Sequence, residues 1–313
     1  MRLIRSLHSP DLPGGGCVLT IGNFDAVHIG HRQILRALTA KSRRHGLPSV
    51  VMTFDPHPQE YFRARVDAAP PARLTTTASR FFALRECGVD IMLSLRFNRR
   101  MAHTGAEHFV RHDLAERLQV RHLLIGDDFR FGAGRAGDFQ LLEALAPQCG
   151  YAVERVDAIE RHGRRVSSTR IRELLAAGDL PAAEQLLGRR YAHAGRVVHG
   201  HRRGRQWGFP TINLAIRHQP ALTGIFAVTV RGLSDAPLPG VASLGSRPTL
   251  SQSKTVLEVH LFDYHGDAYG RRVCVEFVAW IRAEEKFHSY QALIKRIGED
   301  AEAARRLLGG RTR

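Results

Sequence analysis

Two histidines three residues apart, His28 and His31, stand in the segment Thr20-Ile-Gly-Asn-Phe-Asp-Ala-Val-His-Ile-Gly-His31, which leaves an apolar strand and opens a helical pattern. Gly22 and Gly30 let a backbone come close to a ligand, and the amides at a helix N-terminus favour a phosphate. At this spacing both imidazoles can face one phosphate chain and stabilise charge developing on it. The chain holds 17 histidines, so a pair alone means little. The glycine turn at a strand-to-helix junction gives this pair its weight.

Further along, Ser167, Ser168 and Thr169 precede a helical pattern over Ile171–Ala177, with Arg165, Arg170 and Arg172 around them. The hydroxyls can cap that helix or donate to a phosphate, and three guanidiniums beside a helix N-terminus form an anion site. In Gly126-Asp-Asp-Phe-Arg-Phe-Gly132, Asp127 and Asp128 can orient a substrate or hold Mg²⁺ through water. Phe129 and Phe131 either pack on a flat ring or belong to the core behind a strand-end turn.

The second half has its own set. Gly195–Asn213 is basic and glycine-rich, with Gly200, Gly204 and Gly208 interleaved with Arg202, Arg203 and Arg205. Backbone amides and guanidiniums in such a loop can close over polyphosphate. Thr211 and Asn213 share one face if they lie on a strand, so a hydroxyl and an amide oxygen can reach one Mg²⁺. In Val256–Phe262 the alternation puts Leu257, Val259 and Leu261 on one face, and Glu258 and His260 on the other.

The elements behind these residues change character midway. Strands at Cys17–Gly22, Ser49–Phe54, Val89–Leu95, His122–Ile125 and Ala152–Val156 alternate with helices at His31–His45, Ser79–Cys87, Glu107–Leu118 and Phe139–Ala146. That alternation predicts a parallel sheet of doubly wound α/β type, with ligands at the carboxyl ends of the strands. From Gly195 to Ile281 β-branched and aromatic runs follow one another with no helix until Tyr290–Leu308. Such a succession predicts an antiparallel β-barrel with a terminal helix. The expected domains are residues 1–186 and 187–313, parted near Leu187–Tyr191.

Composition narrows the function class. With 43% apolar and 24% charged residues in 313, the chain is expected to fold globally, and no apolar run reaches the length of a membrane span. Four scattered cysteines without metal spacing fit reduced thiols, and the chain is read as cytoplasmic. A net charge of +16 invites nucleic-acid binding, but only four cations are lysine and the arginines are dispersed rather than striped.

The segments GNFDAVHIGH, TFDPHP, GDDFRFG and SSTRIR occur here in an order that resembles the adenylyltransferase module of bacterial bifunctional riboflavin kinase/FAD synthetases, of the HxGH nucleotidyltransferase superfamily. GRQWGFPTIN, GIFAV, LGSRPT and LEVHLFD are similar to that family's kinase module, so the resemblance spans nearly the whole chain. It implies a Rossmann-like nucleotidyltransferase domain and a riboflavin kinase barrel, with ATP and Mg²⁺ as requirements and riboflavin, FMN and FAD as substrates and products. It implies His28 and His31 at the ATP phosphates, with Gly22, Asn23, Phe24 and Gly30 around them, and Arg165, Ser168, Thr169 and Arg172 at the leaving pyrophosphate. Asp128, Phe129 and Phe131 would meet the flavin. In the kinase half it implies Gly204 and Arg205 at ATP, Thr211 and Asn213 at Mg²⁺, and Glu258 as the base. No nucleic-acid or membrane partner is expected, and a monomer or weak homo-oligomer is. Two departures stand out: Ala26 where the family has Gly, and Asp55 where Glu is commoner. The rival readings are an enzyme with one live activity and a flavin-responsive nucleic-acid-binding regulator.

Overall fold

The computed structural model describes residues 1–200, 208–216, 218–247 and 254–309. They form two compact units, residues 1–71 with 75–167, and 72–74 with 168–313.

The first unit is built on six strands: β1 (Arg2–Ile4), β2 (Cys17–Ile21), β3 (Ser49–Asp55), β4 (Ile91–Arg96), β5 (Val120–Gly126) and β6 (Ala152–Val156). They run parallel in the order β1-β4-β3-β2-β5-β6. β2 is buried at every position and β4 at all but its last, as expected of strands covered on both faces. Helices α1 (Ile29–His45), α2 (Pro58–Ala64), α3 (Thr77–Glu86), α4 (Arg99–Ala102), α5 (Ala106–His108) and α6 (Phe139–Cys149) connect them. One core lies under α1 and α3, around Leu35, Leu38 and Leu84, and the other on the opposite face around Phe109, Leu114 and Leu142. A hairpin of β7 (Glu160–Arg161) and β8 (Arg164–Arg165) closes the unit.

The chain leaves β2 toward β3 and β4 on one side, and β5 and β6 lie on the other. The strand order therefore reverses between β2 and β5, which opens a crevice at their carboxyl ends where ligands bind in open α/β sheets. The helix expected at Glu107–Leu118 is α5 running on into a π-helix, Phe109–Arg117. Periodicity places a helix there but does not distinguish the wider turn.

The second unit opens with α7 (Ser168–Ala176) and α8 (Leu180–Leu187). Six strands follow: β9 (Ala192–Val198), β10 (Thr211–Ile216), β11 (Gly224–Arg231), β12 (Leu238–Arg247), β13 (Lys254–Leu261) and β14 (Arg272–Arg282). All pair antiparallel and close in the order β10-β13-β12-β11-β14-β9, a barrel without free edges. Phe226, Val228, Leu257, Val259 and Phe277 lie on the faces turned into it. α9 (Tyr290–Gly309) packs Ala301 and Ala304 on the outer face of β11 and β12, with Ile225, Ala227 and Val241. α8 buries Leu180, Ala183, Leu186 and Leu187 and packs on β14, within the compact unit that takes in Ser168–Arg313.

Candidate active sites

The loop from β2 to α1 is wound tightly. Phe24, Ala26 and Val27 all take positive φ (47°, 79° and 46°), the left-handed region that suits glycine and is unusual for a β-branched residue. A network holds it there: the Asp25 carboxylate accepts from the Thr75 amide and hydroxyl, both at 2.9 Å, and the Thr75 hydroxyl accepts from the Ala26 amide at 3.1 Å. All three residues are buried. Such conformations persist when surroundings over-determine them, and they cluster at functional sites.

His28 is the N-cap of α1, and its Nδ1 accepts the His31 amide hydrogen at 3.2 Å. An accepting Nδ1 leaves the ring proton of neutral His28 on Nε2, as a donor. The His28 and His31 rings stack at 3.6 Å, and Phe24 lies 4.9 Å from His31. Burial, His28 and the cation of Arg80 together hold the His31 pKa well below the usual histidine value. His31 Nδ1 is buried and has no hydrogen-bond partner among the described residues. Arg80 is itself buried, 3% exposed, and donates to the Thr53 hydroxyl at 2.6 Å. The spaces beside Gly22 and Gly30 are filled by the protein's own rings: a side chain there would press on Phe24 and His28 respectively.

After β5, Asp127 and Asp128 both converge on Arg165 of β8. Its guanidinium lies 2.7 Å from Asp127 and 2.8 Å from Asp128. The carboxylates expected to orient substrate or hold a cation are thus engaged by an arginine expected at phosphate. Phe131 is buried in the core beside Phe109, with Phe129 stacked on it at 5.5 Å and only partly buried. Phe131 has little ring surface left to offer, so Phe129 is the member of the pair with a face toward solvent. A second aromatic group escaped the sequence reading: Phe54, Tyr61, Phe62 and Phe97 contact edge to face at 5.4–5.7 Å, with Phe62 51% exposed. Phe54 is near the carboxyl end of β3 and Phe97 follows β4, residues no local pattern connects.

Ser168 and Thr169 lie in the first turn of α7 rather than ahead of it. Arg172 in the same helix donates through Nε to the Ala72 carbonyl at 2.6 Å.

In the barrel, register decides which side chains meet. Asn213 of β10 is directly opposite Glu258 of β13, and Glu258 is opposite Ser243 of β12 on its other side. Directly opposed residues in an antiparallel pair point to the same face with Cβ atoms roughly 5 Å apart. Thr211 lies two residues before Asn213 on that face, opposite His260. His260 Nδ1 is 2.9 Å from the Pro210 carbonyl and its ring meets Phe209 edge-on, which commits it to holding the strand start. Asn213, 7% exposed, turns Nδ2 toward the Thr211 carbonyl at 3.4 Å, leaving Oδ1 as an acceptor. A side chain at Gly200 would collide with the Asn213 amide, so glycine at this position leaves room for that side chain. Gly204 and Arg205 lie outside the described residues.

The oxygen donors of Thr211 and Asn213 fit a hard cation such as Mg²⁺, which takes few protein ligands and keeps water and phosphate oxygens. Among the described residues no cluster of three or more His, Cys, Asp or Glu is placed to hold a metal ion. A cation here would rest on Thr, Asn and the substrate. Ser243 was not legible in the sequence as a neighbour of Glu258, because register is not written in either strand.

Comparison with known proteins agrees with this division of labour along the chain. A family described as FAD synthetase matches residues 13–170, and one described as riboflavin kinase matches 187–308. A bifunctional riboflavin kinase/FMN adenylyltransferase of Escherichia coli (strain K12) is 46% identical over 99% of this chain and 98% of its own length. One of the same description from Pseudomonas fluorescens is 44% identical over 98% of each chain. A crystal structure described as a macrolide-efflux protein from Streptococcus pneumoniae has a TM-score of 0.79 and 28% identity, covering 97% of this chain and 98% of that one. Among the described residues of the present chain, no helix is long and apolar enough to cross a membrane. With two family matches in succession and relatives aligned from end to end, the chain belongs to the bifunctional riboflavin kinase/FMN adenylyltransferase family.

Proposed function

We infer that the protein phosphorylates riboflavin to FMN with residues of the barrel, and adenylylates FMN to FAD with the loop at the β2/β5 crevice, using ATP in both steps. The kinase half rests on Glu258 standing opposite Asn213 on the face that also carries Thr211. Phosphoryl transfer needs chiefly alignment and charge neutralisation. Glu258 takes the proton of the riboflavin 5′-hydroxyl as its oxygen attacks the γ-phosphorus, and ADP leaves. Thr211 and Asn213 would hold Mg²⁺, whose charge would neutralise that of the phosphates. Gly204 and Arg205 contribute to ATP binding.

The transferase half rests on the two stacked imidazoles, with neutral His31 and the Nε2 donor of His28. A phosphate oxygen of FMN attacks the α-phosphorus of ATP and pyrophosphate leaves. Donors from His28 and His31 follow the charge that develops on the phosphate oxygens, at the N-terminus of α1. Gly22, Asn23, Phe24 and Gly30 shape the nucleotide's surroundings, and Arg165, Ser168, Thr169 and Arg172 receive pyrophosphate. Asp128 orients the flavin through Arg165, while Phe129 and the Phe54–Tyr61–Phe62–Phe97 group give its ring apolar walls. Residues 1–186 and 187–313 are the proposed limits of the two activities. Both sites draw on one chain, which fits a monomer or weak homo-oligomer, and four free cysteines fit a cytoplasmic enzyme.

The test is incubation with riboflavin, ATP and Mg²⁺, followed by chromatographic separation of flavins. FMN appearing first and FAD after it supports the reading; FMN alone leaves a kinase only, and neither product removes it.

A further inference from the structure

On the face of the parallel sheet away from α1, a cavity of about 170 Å³ opens beside the carboxyl ends of β1 and β4. Its apolar floor, Leu7, Leu95 and Met101, belongs to the core opposite the one that includes Phe24, Val27 and α1. Its walls are cationic. Arg5 follows β1, Arg96 ends β4, Arg100 lies in α4 and Arg117 ends the π-helix, so four separate elements bring arginines to one lining, with Arg5, Arg96 and Arg100 exposed to solvent.

Among the described residues, the guanidiniums of Arg5, Arg96 and Arg100 have no ion-pair or hydrogen-bond partner, in contrast to Arg111, Arg130 and Arg165, which all meet carboxylates. The one carboxylate lining the cavity, Asp113, is 4% exposed and held by Arg117 at 2.7 Å. Two of the neutral groups are committed: the Asn98 amide oxygen caps α4 at Met101, and the Thr104 hydroxyl donates to the Arg100 carbonyl. The charged donors left to a ligand are therefore the arginines, with Ser6, His8 and His108 beside them. Three like charges gathered without a counter-charge repel one another, and a multivalent oxyanion relieves that repulsion.

We propose that this cavity is a second anion site, separate from the β2/β5 crevice, that takes a compact phosphate-class oxyanion, pyrophosphate or orthophosphate. The size sets the class. Pockets that enclose drug-sized ligands run to roughly 300–1,000 Å³, so a whole nucleotide exceeds the space while a pyrophosphate fits it. Arginine forks pair bidentately with phosphate oxygens, which suits the residue chosen at each wall.

Phenylglyoxal modification of the full-length protein, mapped by mass spectrometry, tests this. Sodium pyrophosphate, sodium phosphate and ATP are compared with potassium chloride at matched ionic strength. At ten times its half-protecting concentration pyrophosphate should slow modification of Arg5, Arg96 and Arg100 about tenfold, with Arg111, paired to Glu107, unchanged. Arg100→Ala should weaken the protection of Arg96 while FMN and FAD formation stay at wild-type rates. Protection no greater than chloride gives, or equal protection of Arg111, overturns the site. Protection by ATP as strong as by pyrophosphate overturns the assignment to a compact anion, because the space would then admit a nucleotide.

Discussion

The His28 and His31 rings are parallel to within 15° and 3.6 Å apart, an arrangement two imidazolium ions would resist. Burial, the neighbouring His28 and the cation of Arg80 hold the His31 pKa well below the usual histidine value, so His31 meets its ligand as a neutral ring. A neutral imidazole donates one hydrogen, and the accepting Nδ1 of His28 has already fixed which one that is.

If these rings stabilise charge in adenylyl transfer, His28→Ala or His31→Ala should lower FAD formation by about 10²–10³-fold, the cost of losing such a donor. FMN formation from riboflavin should be nearly unchanged. Equal loss of both activities in a folded variant would make the histidines structural.

Glu258→Gln preserves shape and strand position but removes the proton acceptor. General-base losses are typically ~10²–10⁴-fold, and the lower end is expected where alignment dominates. Conversion of riboflavin to FMN should fall accordingly, with FAD formation from supplied FMN intact. Near-normal kinase turnover would leave Glu258 an outward-facing strand residue.

Ala26 sits at φ 79° with its side chain buried. Glycine removes the left-handed penalty, so Ala26→Gly should raise resistance to urea by about 1 kcal/mol. A loss of stability would mean that the methyl group's packing outweighs the backbone strain.

His193 is pushed down to about 4 by burial and by neighbouring His218. Its folded-state pKa is lower than its unfolded value, so the unfolded chain binds more protons in acid. Stability is complete above pH 6.5 and is lost as pH falls from there toward 4, by on the order of 2 kcal/mol at pH 5. The melting midpoint should drop between pH 7 and pH 5, and His193→Gln should shrink that drop.

Because α8 packs its buried leucines on β14, a fragment starting at Ser168 should be more stable than one starting at Leu187. Each fully buried leucine contributes about 1.5–3 kcal/mol, and the shorter fragment loses Leu180 and Leu186. Urea unfolding of both fragments, followed by tryptophan fluorescence, checks this; equal midpoints would show that α8 adds nothing to the barrel.

The order of the motifs, the alternation of strands and helices before residue 187, the strand succession after it and the terminal helix were all determined by local sequence. Each is a matter of periodicity, turn chemistry or residues adjacent in the chain. The departure at Ala26 came from the resemblance, which has glycine at that position; the positive φ that makes it costly is seen only in the folded loop. What tertiary structure alone decided is which distant residues meet. Register set Glu258 between Asn213 and Ser243. The return of the β7–β8 hairpin brought Arg165 to Asp127 and Asp128, turning two candidate ligands into ion-pair partners. The packing of β1, β4, α4 and the π-helix gathered Arg5, Arg96, Arg100 and Arg117, which read along the chain as ordinary solvated charges. Periodicity reports which face a side chain occupies; only the paired strands and packed helices determine what lies across from it.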